Sequence, residues 1–429
     1  MKMMMCSRKI LNISCLAVCT LLMPVACNRN VFDADYYKEI TEVAQPVKGI
    51  DKTHQWDATL TQLLSVDVRT SRTGMERLQI LSGNPAVEDG VTVLADWPLS
   101  GSEREYVGFT APNTLSQFYA ALIDGQGTYT LTAFRAGQRS INFSEPVATQ
   151  MSVEGRRLEP QTFTYCFEDE MPEPGDYDYN DVVLRISQER PAANQLVLHV
   201  TLAAVGSASQ VAAAVRLADV SYDDIADVAT LDGKTFNEGY RMSALPYTDG
   251  TSLLVKGLNG EAVVNLFEDA HWASGAVSYT SEGYIPRFKY NVAKAVGTEF
   301  DFFAPRTISY VITFKNPALL NYFTLASLDP FAIVEYNGVL METHAVYKYR
   351  RTAVLHEYAI PDNAVILPWA LVVPSASFRN PLEGVNIGFS KDGVLFGAYM
   401  TAGHSFGEWA ANQKAACDWY DYPTENQVY

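Results

Sequence analysis

From Leu60 to Ser144 apolar and polar residues alternate in short runs, among them LTQLLSVDV, ERLQILS, VTVLADW, EYVGFTA, QFYAALID and TYTLTAF. Between them stand SRTG, SGNP, EDG, PLSGS, APNT and DGQG, the composition of tight turns. Alternation with period two places every second side chain on one face of a pleated strand, and short strands joined by turns build antiparallel sheets, not strand-helix-strand crossovers. The runs LVLHVTLAAVG, SLLVKGL, AVVNLFED, TISYVITFK and PFAIVEYNG carry the rhythm on past Leu196. The expectation is a mainly β chain of two antiparallel β-sandwich-like domains, residues 53–155 and 156–429, with Phe118, Tyr119, Tyr129 and Phe134 filling the first core. Val211 to Ala229 suits either helix or strand, and a short helix is expected near the C-terminus, around Phe406 to Ala416. The aromatic tail bearing Trp419, Tyr420 and Tyr422 is expected to dock back on its domain, since such side chains left in water are costly.

The first 26 residues read as an export signal. Lys2, Arg8 and Lys9 precede an uncharged run from Ile10 to Ala26, and Cys27 follows a small residue, which is the layout of a lipoprotein signal with Cys27 as the lipidated residue. The apolar run falls short of the ~20 residues a spanning helix needs, so the expected membrane partner is reached through an N-terminal lipid. Pro24 departs from the usual apolar residue three positions before the cysteine, while Asn28 favours sorting to the outer membrane, lipid-anchored on the cell surface or the periplasmic face. Residues 27–52 are polar and read as a tether.

The chain carries a net charge of −17; removing the signal takes three positive charges and no acid, leaving −20. Such a surface repels phosphate, which argues against nucleic acid, and attracts cations. The acids concentrate in Tyr165 to Ser187, YCFEDEMPEPGDYDYNDVVLRIS, where Pro172, Pro174 and Gly175 forbid regular structure before an alternating strand. In an extended loop Asp176, Asp178 and Asn180 project to one side, with Glu168 and Asp169 closing from the other arm and Asp181 beside them. Crowded carboxylates suit Ca²⁺, which takes about six to eight oxygens. An EF-hand counted from Asp176 would need glycine at Asp181 and glutamate at Ser187, so this is no EF-hand. A loop capped by its own backbone hydrogen bonds is the alternative.

FEDEMPEPGDYDYNDVV resembles the acidic signature that opens the LruC-type domain of Bacteroidota surface lipoproteins. The resemblance continues through LDPFAIVEYNG (Leu328–Gly338), HEYAIPD (His356–Asp362), PWALVVPSASFRNPLEGVNI (Pro368–Ile387) and DWYDYPTENQVY (Asp418–Tyr429), and so covers residues 160 to 429. It implies an exported, mostly β domain of unknown function, and names neither a reaction nor a ligand.

Four of six cysteines fall in the signal segment; Cys166 and Cys417 remain as a candidate disulfide, with two buried thiols as the alternative. The six histidines lack ligand spacing, and His199 is expected to be structural. Gly403-His404-Ser405-Phe406-Gly407 matches a nucleophile elbow, but no histidine follows Ser405 and too little chain remains to complete a hydrolase fold. The expected protein is therefore no enzyme but an adhesion, ligand-binding or envelope structural lipoprotein with a calcium-binding loop, its other partner a glycan or a protein. A glycan-directed envelope hydrolase using the acidic cluster and a fimbria-like subunit are the alternatives.

Overall fold

The computed structural model describes residues 47–429 apart from 48, 52, 72, 144–148, 153–157, 172–174, 239–251, 258, 275–304, 337–338, 346–366 and 392–393. The export signal, Cys27 and nearly all of the tether lie outside the described residues, as do Pro172, Pro174 and the HEYAIPD segment.

Eight strands form the first unit: β1 (Thr59–Asp67), β2 (Met75–Leu81), β3 (Val93–Pro98), β4 (Arg104–Pro112), β5 (Gln117–Asp124), β6 (Thr128–Arg135), β7 (Ser140–Asn142) and β8 (Thr149–Ser152). They make a three-stranded sheet, β4-β1-β7, facing a five-stranded one, β3-β2-β5-β6-β8. The alternation seen in sequence sets the faces. Leu64 and Val66 point into the sandwich with Leu78, Ile80, Phe109, Phe118 and Phe134, while Leu63 just before them stays in water. Tyr129 and the partly buried Tyr119 instead pack on the opposite face of the five-stranded sheet, beside Leu131 and Leu158.

The second unit holds β9 (Phe163–Phe167), β10 (Val182–Ala192), β11 (Gln195–Ala204), β12 (Ala212–Ser221), β13 (Ile225–Thr230), β14 (Leu254–Lys256), β15 (Glu261–Phe267), β16 (Arg306–Phe314), β17 (Leu328–Tyr336), β18 (Val339–His344) and β19 (Ala370–Val373). Two antiparallel sheets result, ordered β13-β16-β11-β10-β9-β19 and β14-β15-β12-β17-β18. The ambiguous stretch after Val211 is strand, broken by a 3₁₀ turn at Tyr222–Asp224 that Ser221 caps. Between the sheets lie Phe163, Tyr165, Phe167, Leu184, Ile186, Leu198, Val200 and Phe314. This mainly β, sandwich-like architecture is the expected one.

The six-stranded sheet is covered on its other face too. Cys166, Val183, Ala204, Leu371 and Val373 project away from the sandwich into a second core, supplied by residues 47–58 and the C-terminal segment. That segment contains the hairpin β20 (Phe389–Lys391) and β21 (Val394–Phe396) and a helix, numbered α2 after the short α1 (Ala270–Ala273). Helix α2 spans only Phe406–Ala411, shorter than the apolar pattern suggests, because Asn412 leaves the helical region and its side chain accepts the Lys414 amide in a competing local turn. Its aromatic residues stack into one block: Phe406, Trp409 and Trp419 lie 5.1 to 5.7 Å apart, with Trp56 and Tyr399 at the edges. Trp419 and Tyr420 are buried, so the tail docks as expected, while Tyr422 remains at the surface.

Candidate functional site: the acidic loop

The acidic loop joins these two cores. It leaves β9 at Phe167, carries Glu168 to Asp181 and re-enters the sheet at the start of β10, and its Tyr177 and Tyr179 rings are buried in the aromatic core. Both tyrosines adopt left-handed backbone, φ 57° and 52°, a conformation costing a non-glycine residue about 1 kcal/mol or more. The turn this produces aims two amides at one carboxylate: Tyr179 N donates to Glu168 Oε1 at 2.5 Å and Tyr177 N to Oε2 at 3.2 Å. Tyr179 also donates its hydroxyl to the Pro368 carbonyl at 2.6 Å, tying the loop to the chain entering β19.

Around Glu168 the structure gathers two overlapping groups of carboxylates, Glu168 with Asp176 and Asp178, and Glu168 with Glu170 and Asp181. Within each group one oxygen per residue lies inside 4.8 Å of the others. Gly175 lines the cluster so closely that a β-carbon there would stand 2.2 Å from Glu168 Oε2 and 2.8 Å from Glu170 Oε2. Backbone donors hold several members in place. Asp178 accepts the Asn180 amide (3.1 Å) and the Gly384 amide (2.8 Å), and Asp181 accepts the Asp169 amide (2.8 Å). A carboxylate oxygen has two acceptor directions, so one amide leaves room for a cation on the same atom.

Four of the six residues expected from sequence, Glu168, Asp176, Asp178 and Asp181, meet here. Asp169 accepts the Ser207 hydroxyl and belongs to neither group. Asn180 turns elsewhere: Nδ2 donates to the Pro381 carbonyl at 3.2 Å, and Oδ1, buried and with no partner among the described residues, faces Gly206, where a β-carbon would lie 1.7 Å from it. The expected convergence of Asp176, Asp178 and Asn180 assumed extended backbone, and the left-handed residues at 177 and 179 remove that premise. Glu170, absent from the expected set, was legible: it stands two residues after Glu168, on the same side of an extended arm.

No arginine or lysine pairs with Glu168, Asp169, Glu170 or Asp181 among the described residues. Burial, then Asp181, Asp178, Asp176 and Glu170, push the Glu168 carboxyl well above the usual range, and burial with Asp169 and Glu170 does the same to Asp181. Glu170, whose side chain reaches the surface while its carboxyl loses solvent against the cluster, is pushed up to about 8, first by that desolvation and then by Asp169. One other group of buried carboxylates is matched by basic side chains. On the outer face of the five-stranded sheet, Glu342 meets Arg216 at 3.2 Å, and His344 lies 2.8 Å from Asp329 and 2.9 Å from Glu342, all essentially inaccessible. Burial disfavours charge on His344, but the two flanking carboxylates outweigh it and hold its pKa above the ordinary value.

The other sequence candidates have local roles. Ser405 caps α2, its Oγ accepting from Glu408 N at 3.2 Å and donating to Glu408 Oε2 at 2.8 Å. His404 bonds Asp418 at 2.9 Å and stacks on Tyr422. His199 bonds Ser309 across the strands at 2.8 Å. Cys166 and Cys417 are both free thiols flanking the same core, and burial raises the pKa of each. No helix of the described residues is long and apolar enough to cross a membrane.

No curated protein matches the chain. A solved structure of a candidate lipoprotein from Bacteroides ovatus is similar at 13% identity and a TM-score of 0.47, the match covering 83% of this chain and 99% of that one. A family profile, described as a domain of unknown function, matches residues 192–420, beginning at the last residue of β10, one strand after the acidic loop. The chain therefore belongs to the DUF4842 family.

Proposed function

We propose that the protein is a non-catalytic lipoprotein of the cell envelope, anchored through Cys27, whose acidic loop binds Ca²⁺ as a structural ion. The observation that carries this is the charge imbalance at Glu168: five carboxylates converge where, among the described residues, no basic residue balances Glu168, Glu170 or Asp181, whereas the buried acids of β17 and β18 have Arg216 and His344 beside them. A hard dication takes oxygen ligands and cancels their mutual repulsion, and fixing the loop fixes Tyr177 and Tyr179 in the aromatic core. The ion would thus clamp the C-terminal segment onto the six-stranded sheet. Raised carboxylate pKa values also suit general acids, which is the basis of the hydrolase alternative. Metal analysis of the protein purified without chelator tests the reading. The expected result is calcium bound in stoichiometric amount and lost together from Glu168→Gln and Asp181→Asn; calcium content unchanged in these variants would refute it.

A further inference from the structure

The two sandwiches border a cavity of about 220 Å³, open to solvent on one side, where they meet. Its walls come from the start of β1, the end of β4, β9, the first residue of β17 and β19. A parallel β-bridge between Asp57 and Val372 joins the units at its edge, and Trp56 next to it is held in left-handed backbone, φ 55°, by its amide's 2.8 Å bond to His54 Nδ1.

The lining is two-sided. Phe163, Leu328 and Val372 offer an apolar wall, while Gln55, Asp57, Thr110 and Tyr165 offer hydrogen-bonding groups. Two of these have capacity that the protein does not use. Tyr165 is 2% exposed, yet its hydroxyl has no partner among the described residues. Asp57 receives the Thr59 amide and hydroxyl on Oδ1, at 2.8 and 2.5 Å, and its Oδ2 has no partner among the described residues. Burial, then the charges of Asp57 and Asp329, raise the Tyr165 pKa, so the hydroxyl stays protonated as a donor.

We infer that this junction cavity is a binding site for a neutral hexose-sized saccharide, its hydroxyls on Asp57, Tyr165 and Thr110 and its C–H face on Phe163, Leu328 and Val372. A carboxylate with no basic residue in the lining rejects anions. A simple amine would satisfy Asp57 but leave the Tyr165 hydroxyl unused, whereas a pyranose presents several hydroxyls on its rim and an apolar face. The inference gives the binding role of the proposed protein a ligand class and does not depend on the calcium site.

Saturation-transfer NMR and calorimetric titration of the full chain, held in a detergent without a sugar headgroup, test it with glucose, galactose, mannose, fucose, N-acetylglucosamine and, as the amine probe, putrescine. At least one saccharide is expected to bind in the millimolar range or tighter. Asp57→Asn and Tyr165→Phe should each weaken it by about tenfold without lowering the melting temperature in proportion. Ala326, exposed at the cavity wall, can take a large side chain without disturbing the core, so Ala326→Trp should abolish binding in a folded protein. No saccharide bound at tens of millimolar, binding that survives Ala326→Trp, or binding of putrescine alone would overturn the inference. Saccharide binding in a protein without calcium-dependent stability would strike the cation reading alone; the reverse pattern would strike this one alone.

Discussion

Glu170→Gln separates the two forces acting in the acidic loop, because it deletes a charge without deleting a backbone partner that buried members such as Glu168 and Asp178 hold. Glu170 lies within 4.8 Å of Glu168 and Asp181. Two like charges at that separation repel by about 1 kcal/mol in water-like surroundings and about 3 to 4 kcal/mol at an effective dielectric of 20. Glu170 is exposed, so the lower figure applies. A kcal/mol moves the midpoint of a unit this large by about 2 to 4 °C. In chelator at about pH 9, above the value of about 8 at which Glu170 loses its proton, the variant should melt higher than the parent by about that amount. With Ca²⁺ the same oxygen becomes a ligand, and the sign reverses: the variant should bind about tenfold more weakly and melt lower than the parent. Scanning calorimetry in both buffers reads the sign directly. A variant that melts lower in both, or unchanged in both, would show that Glu170 neither repels its neighbours nor coordinates a cation.

Three further outcomes follow from the same structure. Because the Glu168, Asp181 and Glu170 carboxyls titrate above their unfolded values, the native state without cation holds protons that the unfolded state has released, so in chelator stability should fall as pH rises from about 4 to about 8, and Ca²⁺ should flatten that decline; denaturant midpoints across this range check it. Ser405→Ala removes the α2 cap and should cost about 1 kcal/mol, read as a lower urea midpoint at unchanged slope, because the hydroxyl serves Glu408 and the helix end. Cys27→Ser should leave the precursor uncleaved and without lipid by mass spectrometry; a normally processed, membrane-bound mutant would refute the anchor.

Much of the architecture was written in local pattern. Alternation placed Leu64 and Val66 inside and Leu63 outside, and Pro172, Pro174 and Gly175 marked the acidic stretch as a loop. The acidic cluster was legible as composition but not as geometry. Tyr177 and Tyr179 look like ordinary strand residues, and only their packing beside Trp409 and Trp419, more than 200 positions away, explains how left-handed backbone is sustained there. That backbone carries Asn180 out of the cluster. The second core was equally hidden: residues 47–58 meet 406–420 through His54, which bonds the Trp409 carbonyl at 2.9 Å, and no local period announces so distant a contact. The junction cavity depends on the meeting of two sandwiches, which strand patterns within each cannot specify.

Thermal unfolding of residues 28–429 in chelator, then with Ca²⁺ or Mg²⁺ restored, tests the central claim most directly. A cation bound only by the folded state at a hundred times its dissociation constant stabilises it by about 2.7 kcal/mol, a rise of about 5 °C or more for a unit of this size. A rise of that order with Ca²⁺ and not with Mg²⁺, absent from Glu168→Gln, is the predicted result. The same midpoint in chelator and in Ca²⁺ would contradict the account, and the carboxylates around Glu168 would then be held by protons and backbone amides alone.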